Sequence, residues 1–293
     1  MVKSAFVKTS VLLILAVAGM AVVTEFLADW PGRHPFPGVT YTEEDRQNPL
    51  LHTYWLKVDL SNPAVHLRLC PGGDRPDGDG PWETVLCPVS QIAQRENLDI
   101  AINGSYFTPR EAQIIFGHRL SYFEGNWAKA SGWTVSDGRL WSARPVGGGI
   151  PTFLVTRDGH ASIQFLTKPP KDASLAVSGN WLVLDGHVHA PPDQLAPRTA
   201  IGLDAADRTL VIFVCDGCRP AVGMNMAQVA EKMIQLGCFE AINLDSGGST
   251  TLVMRHGGKW QVLNRPSDGQ QFPIPLSIER PVANALGIVV DGK

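Results

Sequence analysis

Through most of the 293-residue chain, hydrophobic and polar positions alternate, or apolar residues run together briefly between turn residues, which is the periodicity of strands. Residues 52–60 and 65–70 read as two strands around Ser61-Asn62-Pro63, turn chemistry that suits a hairpin. Further hairpins are expected at Asp158-Gly159, Asp185-Gly186, Ala205-Ala206-Asp207 and Gly257-Gly258. Two segments switch to helical spacing. Met226, Val229, Ala230, Met233 and Ile234 recur on one face, with Asn225 and Gln228 placed as a capping box and Gly237 as the stop. A shorter helix over 89–96 buries Val89, Ile92 and Ala93 and ends at Asn97. The expected fold class is α+β: a mixed, largely antiparallel β-sheet core with a few packed helices, in a single domain over 49–293.

The N-terminus departs from this pattern. Lys3 and Lys8 precede an uncharged apolar run over 11–23, short for a bilayer span and of the length of a secretory h-region. Residues 1–28 therefore read as a signal peptide or an N-terminal membrane anchor, and the protein as exported, periplasmic or extracellular. Residues 29–48, rich in Pro, Gly and charge, read as a linker. The net charge of −3 and the lack of a basic run argue against nucleic acid as a partner, and leave membrane contact to the N-terminal segment alone.

Five cysteines, Cys70, Cys87, Cys215, Cys218 and Cys238, suit an oxidising compartment, with at least one thiol left over. Cys70 and Cys87 bracket the Gly/Pro/Asp-rich segment 71–81, and a bridge between them would staple it. Cys215-Asp-Gly-Cys218 has redox spacing but follows a strand, without the helix N-terminus that lowers a thiol pKa. Zinc would need a second ligand pair, for which His187-Val188-His189 is the candidate by type and a polar strand the plainer reading.

Chemistry concentrates at 241–251, A-I-N-L-D-S-G-G-S-T-T. A short strand delivers Asn243 and Asp245, Gly247 and Gly248 turn the backbone sharply, and hydroxyls and N–H groups follow. Alone, the stretch also fits a turn that merely reverses the chain. Both helices, however, lead into strands ending in one tripeptide, Ala101-Ile102-Asn103 and Ala241-Ile242-Asn243. These two units are expected to be neighbours in one sheet that bring both asparagines to a shared site. Arg198-Thr199, Asp216, Arg265, and Glu279-Arg280 lie where strands meet turns, and supply arginines and carboxylates for an anion site with acid–base groups beside it.

Taken together, the segments Asn103-Gly104-Ser105-Tyr106-Phe107, Arg198-Thr199-Ala200-Ile201-Gly202, Asp216-Gly217, Gly223-Met224, Asn243 through Thr251, Asn264-Arg265-Pro266-Ser267-Asp268, and Glu279-Arg280 through Asn284-Ala285-Leu286-Gly287 resemble, in order, the motifs of the phosphodiester glycosidase family. The resemblance covers 100–290 and implies a catalytic domain that hydrolyses a sugar-1-phosphodiester at its glycosidic bond. Asp245 would then be the principal catalytic carboxylate, with Glu279 or Asp216 as partner. Arg198 and Arg280 would grip the phosphodiester, with Arg265 nearby, and N–H groups of Gly247, Gly248, Ser249 and Thr250 would add a nest of donors. Asn103, Gly104, Tyr106, Thr199 and Asn243 would complete the substrate-binding set. Ser105 and Ser246 stand where the family usually has glycine, and would be strained if φ were positive there. No cofactor is expected. A divalent cation such as calcium between Asp245 and Asp216 would suit oxygen ligands but has no loop motif behind it. A module that binds phosphodiester-linked envelope glycans without cutting them stays open, as does a serine hydrolase using Ser246 or Ser249 with His256 as base, for which the strand-G-x-S-x-G-helix context is missing.

Overall fold

The computed structural model describes residues 32–78, 80–111, 113–115, 118–144, 148–268 and 277–292. The leader and anchor readings of 1–28 lie outside the described residues. Two antiparallel sheets face each other. One has seven strands in the order Val39–Gln47, Leu50–Asp59, Thr209–Cys215, Arg198–Leu203, Glu240–Asn243, Asn180–Leu184, His187–Val188. The other has five, in the order Lys259–Val262, Leu252–His256, Ile100–Asn103, Asn284–Val290, Val65–Pro71. A third sheet, built from strands between Gly132 and Ser178, contributes Phe153, Ile163 and Val177 to the same core.

Strand alternation decides what each face buries. In Arg198–Leu203, Ile201 and Leu203 enter the core between the sheets, where they meet Ile100, Ile102 and Leu286 of the five-stranded sheet. Ala200, one position out of phase, joins a second core beneath the helix Met226–Gln235. The short helix Val89–Arg95 covers the outer face of the five-stranded sheet through Val89, Ile92 and Ala93. The molecule is thus layered helix, sheet, sheet, helix. It is predominantly β, with helices as covers: the largely antiparallel sheet core with a few packed helices is as expected, while the α+β class gives way to a mainly β one. The larger helix starts as read: the Asn225 side chain accepts from the Gln228 N–H and the Gln228 side chain from the Asn225 N–H, both at 2.9 Å.

The hairpins at Asp158-Gly159, Asp185-Gly186, 205–207 and Gly257-Gly258 all form. At Asp185-Gly186 and Gly257-Gly258 both turn residues have positive φ, as two-residue turns between twisted strands require. Two expectations need correction. Ser61-Asn62-Pro63 does not close a hairpin: Leu50–Asp59 and Val65–Pro71 belong to different sheets, and the turn hands the chain from one to the other. Nor is 29–48 a linker throughout, because Val39–Gln47 pairs along its whole length with Leu50–Asp59 as an edge strand. Its exposed Glu43, Glu44 and Asp45 disguised a strand that buries only Val39 and Tyr41.

The expected Cys70–Cys87 disulfide is absent. All five cysteines are free, buried thiols. Burial pushes the Cys70, Cys215 and Cys238 thiols up to about 12, the range of inert core cysteines. Among the described residues no helix is long and apolar enough to cross a membrane.

Candidate active site

The two A-I-N strands end at the same place but not in the same sheet. Ile100–Asn103 lies in the five-stranded sheet and Glu240–Asn243 in the seven-stranded one, so the expectation of one shared sheet fails, although both asparagines meet at the Asp245–Ser246 turn. The join is made by main chain and by Asn103. The Asp245 N–H donates to the Gly104 carbonyl at 3.1 Å, and the Asn103 amide donates to the Asp245 carbonyl at 2.6 Å. The Asn103 oxygen accepts from the Thr199 hydroxyl at 2.7 Å and from the Thr251 N–H at 3.2 Å. One buried amide thereby pins three strand ends around the turn, and Thr199 serves that lock.

Asn243, also fully buried, donates to the Tyr106 hydroxyl at 2.6 Å and to Ser246 Oγ at 3.0 Å. Ser246 sits in extended backbone at φ −139°, and Ser105 is not among the residues with positive φ, so the two serines are unstrained. Their hydroxyls are used instead: Asn284 donates to Ser105 Oγ at 2.9 Å and accepts from the Ser105 N–H at 3.0 Å. Gly104 is required there, since a Cβ would run into the Asn284 side chain. Positive φ falls on Gly247, at +65°, which opens the single 3-10 turn Gly247–Ser249.

Asp245 heads that turn. Burial pushes its carboxyl up to about 6, opposed by the Ser249 hydroxyl, the Ser246 N–H and the Arg280 charge. The Ser246 N–H donates to Oδ1 at 2.9 Å. Ser249 lies close enough to favour the ionised carboxylate without completing a hydrogen bond, so its Oγ remains unpartnered. The buried hydroxyls of Thr250 and Thr251 are unpartnered as well, giving three consecutive side chains with unused hydrogen-bonding capacity beside a perturbed carboxylate.

Arg280 lies across the turn. A Cβ on Gly248 would approach its Nη2, Cζ and Nε together, so the guanidinium rests flat on the glycine. Asp268 holds Nε at 2.8 Å and Nη2 at 2.6 Å, and the cation lies 4.2 Å from the centroid of Tyr122. Tyr122 in turn meets Phe107 edge to face at 5.9 Å. Sequence reading did not find Tyr122, which sits in a loop with no periodicity to mark it.

Three expected members are committed elsewhere. Arg198 shares its strand face with Ala200, beneath the larger helix. It donates to the Met224 carbonyl at 2.9 Å and to Asp193 and the Gln194 carbonyl at 2.7 Å each, while Asp193 also accepts from the Met226 N–H at the helix start. It therefore anchors a loop and does not join Arg280. Glu279 accepts from the Ser90 N–H at 3.0 Å and the Ser90 hydroxyl at 2.6 Å, at the N-terminus of the short helix, where a carboxylate complements unpaired N–H groups. Asp216 is buried, which raises its pKa, and accepts from Tyr54, Asn264 and the Arg265 N–H. Through Asn264, which donates to the Thr250 carbonyl at 3.0 Å, it braces the far side of the turn. The Arg265 residue is exposed, with its backbone on Asp216. No group of three or more His, Cys, Asp or Glu that could hold a metal occurs among the described residues.

A cleft of about 580 Å³ elsewhere, lined in part by Arg68, Arg95, Glu96, Asp137 and Trp141, is chemically quieter, because Arg68 and Arg95 both pair with Glu96.

A model of the phosphodiester glycosidase family matches residues 96–289. The N-acetylglucosamine-1-phosphodiester alpha-N-acetylglucosaminidase of Mus musculus is 29% identical over 160 residues, 45% of this chain and 30% of that protein. The Homo sapiens enzyme of the same name is 28% identical over 174 residues, 50% of this chain and 33% of its own length. The chain thus matches about a third of the length of these curated relatives. The solved zebrafish N-acetylglucosamine-1-phosphodiester alpha-N-acetylglucosaminidase catalytic domain, auto-inhibited by its pro-peptide, superposes with a TM-score of 0.58 over 87% of this chain and 82% of the other; its 22% identity makes this a likeness of fold. Because the matched region contains both asparagine strands, the Asp245 turn and Arg280, and runs into the closing strand, the chain belongs to the phosphodiester glycosidase family.

Proposed function

We propose that this protein is an exported hydrolase that cleaves the glycosidic bond of a sugar-1-phosphodiester, releasing free sugar and a phosphomonoester. The observation that carries this reading is the pairing of an enclosed carboxylate of raised pKa, Asp245, with the guanidinium of Arg280 across a glycine turn whose hydroxyls are unpartnered. The apolar run after Lys3 and Lys8 supports export.

In this scheme the phosphodiester lies against Arg280 with the sugar beside Asp245; the expected nest of donors does not form, because the Gly247, Ser249 and Thr250 N–H groups already donate to the Pro197, Ser246 and Gly247 carbonyls. Asp245 accepts a proton from water as that water attacks the anomeric carbon. The bond between that carbon and the bridging oxygen breaks, and the oxygen leaves on the phosphomonoester. A phosphate is a stable anion, so Arg280 can replace the general acid that an alkoxide leaving group would need. Asp216 and Glu279 are bound up in their own networks and Asp268 in its pair with Arg280. A double displacement would need a second base to activate water once Asp245 was glycosylated, so a single available carboxylate favours one displacement with inversion.

N-acetylglucosamine-1-phosphodiesters, named in the curated relatives, are the first substrates to try among a panel of sugar-1-phosphodiesters, with products read by mass and the released anomer by NMR. Release of sugar in the inverted configuration supports the reading. Tight binding of an uncleaved phosphodiester would instead favour a glycan-binding module, and the absence of both binding and turnover across the panel would refute the proposal.

A further inference from the structure

Arg280 is held on three sides by groups that do nothing else at the turn. Its guanidinium lies against the backbone of Gly248 and 4.2 Å from the ring centroid of Tyr122, a residue 44% exposed and so of little use to the core. Its Nε and Nη2 are engaged by one carboxylate oxygen of Asp268. A guanidinium has five N–H donors in one plane, and a side-on pair through Nε and Nη2 leaves the end-on donors, those of Nη1 and the second of Nη2, for another anion. A side chain that is normally flexible thus becomes a fork of fixed plane next to Asp245.

We infer that Tyr122 and Asp268 are positioning residues that lock Arg280 with its end-on fork presented to a phosphate, making them determinants of specificity for phosphate-bearing substrates. The inference rests on the function proposed above. Loss of the ring frees the guanidinium to tilt off the glycine; loss of the Asp268 charge frees it to rotate. Either change weakens recognition of phosphate and leaves the carboxylate chemistry at Asp245 in place.

The test uses the full chain and the variants Tyr122→Leu, Tyr122→Phe, Asp268→Asn and Arg280→Ala. Two measurements are made on each: steady-state kinetics on a sugar-1-phosphodiester and on an aryl glycoside of the same sugar lacking phosphate, and calorimetric binding of the corresponding sugar 1-phosphate. Tyr122→Leu and Asp268→Asn are expected to raise KM for the phosphodiester and weaken sugar 1-phosphate binding on the order of tenfold, the scale of a lost cation–π contact. Arg280→Ala should lose more and Tyr122→Phe should keep wild-type values because it retains the ring, while the residual rates of Tyr122→Leu and Asp268→Asn on the aryl glycoside should not move. The inference is overturned if Arg280→Ala loses phosphate binding while Tyr122→Leu and Asp268→Asn do not, or if both substrates suffer equally. A wild-type protein that binds sugar 1-phosphate but turns nothing over would refute the hydrolase reading and leave the phosphate fork to be judged by the binding series. One that binds no sugar 1-phosphate refutes the fork itself.

Discussion

Asp245 is destabilising where it stands. Its carboxyl titrates near 6 in the folded protein against an ordinary value of 3.8, so the native state holds that proton more tightly than the unfolded chain does. The sign follows: native stability attributable to this group is lost as pH rises from about 3.8 through 6, and the penalty, about 2–3 kcal/mol, is complete at pH 7. Asp245→Asn is therefore expected to melt higher than the parent at pH 7, with the difference fading by pH 4, while turnover falls by roughly 10³-fold or more. The same titration places an acid limb in the pH profile: kcat/KM should fall about tenfold per unit below pH 6. A flat profile to pH 5 would remove Asp245 from the role of base. At Gly248 the reasoning is steric. Gly248→Ala puts a methyl group into the guanidinium of Arg280 and should lower kcat/KM about tenfold with an unchanged circular dichroism spectrum.

At the scale of elements, Glu279 and Arg280 are chain neighbours with separate duties, one on the short helix and one on the turn. Glu279→Gln is expected to cost about 1 kcal/mol of stability, the worth of a charged helix-end contact, and to leave turnover near the parent rate, as thermal melts and initial rates would show. What sequence reading could and could not recover divides along similar lines. Turn residues and helix caps act over a few positions, which is why the Asn225 box and the Asp185-Gly186 and Gly257-Gly258 turns were legible. The convergence of Asn103 on Asp245 was legible through a repeated tripeptide. Sheet membership was not, since nothing local tells whether Ser61-Asn62-Pro63 pairs two strands or passes the chain between sheets. Arg198 was misplaced for a related reason: it starts a strand beside a turn, and only its phase with Ala200 reveals the helix-covered side. Asp193 and Tyr122, which decide the duties of the two arginines, are separated from the motifs in sequence and follow no pattern.

For the molecule as a whole, stability resides in packing rather than in cross-links. The core between the sheets takes residues from the three largest sheets, and the five thiols are buried and unpaired. Reductant is accordingly expected to leave the melting temperature unchanged, and a thiol reagent should titrate the five cysteines only after denaturant is added. A melting point that drops on reduction would mean that a disulfide forms after all.

The Asn103 amide gives this architecture a particular vulnerability. Because it fastens the Asp245 carbonyl, the Thr199 hydroxyl and the Thr251 N–H at once, no partial opening of the two layers can leave the Asp245 turn intact. Enzymatic competence should then vanish in step with global melting instead of ahead of it, so a residual-activity curve against urea would double as a gauge of how firmly the halves of the sandwich are joined.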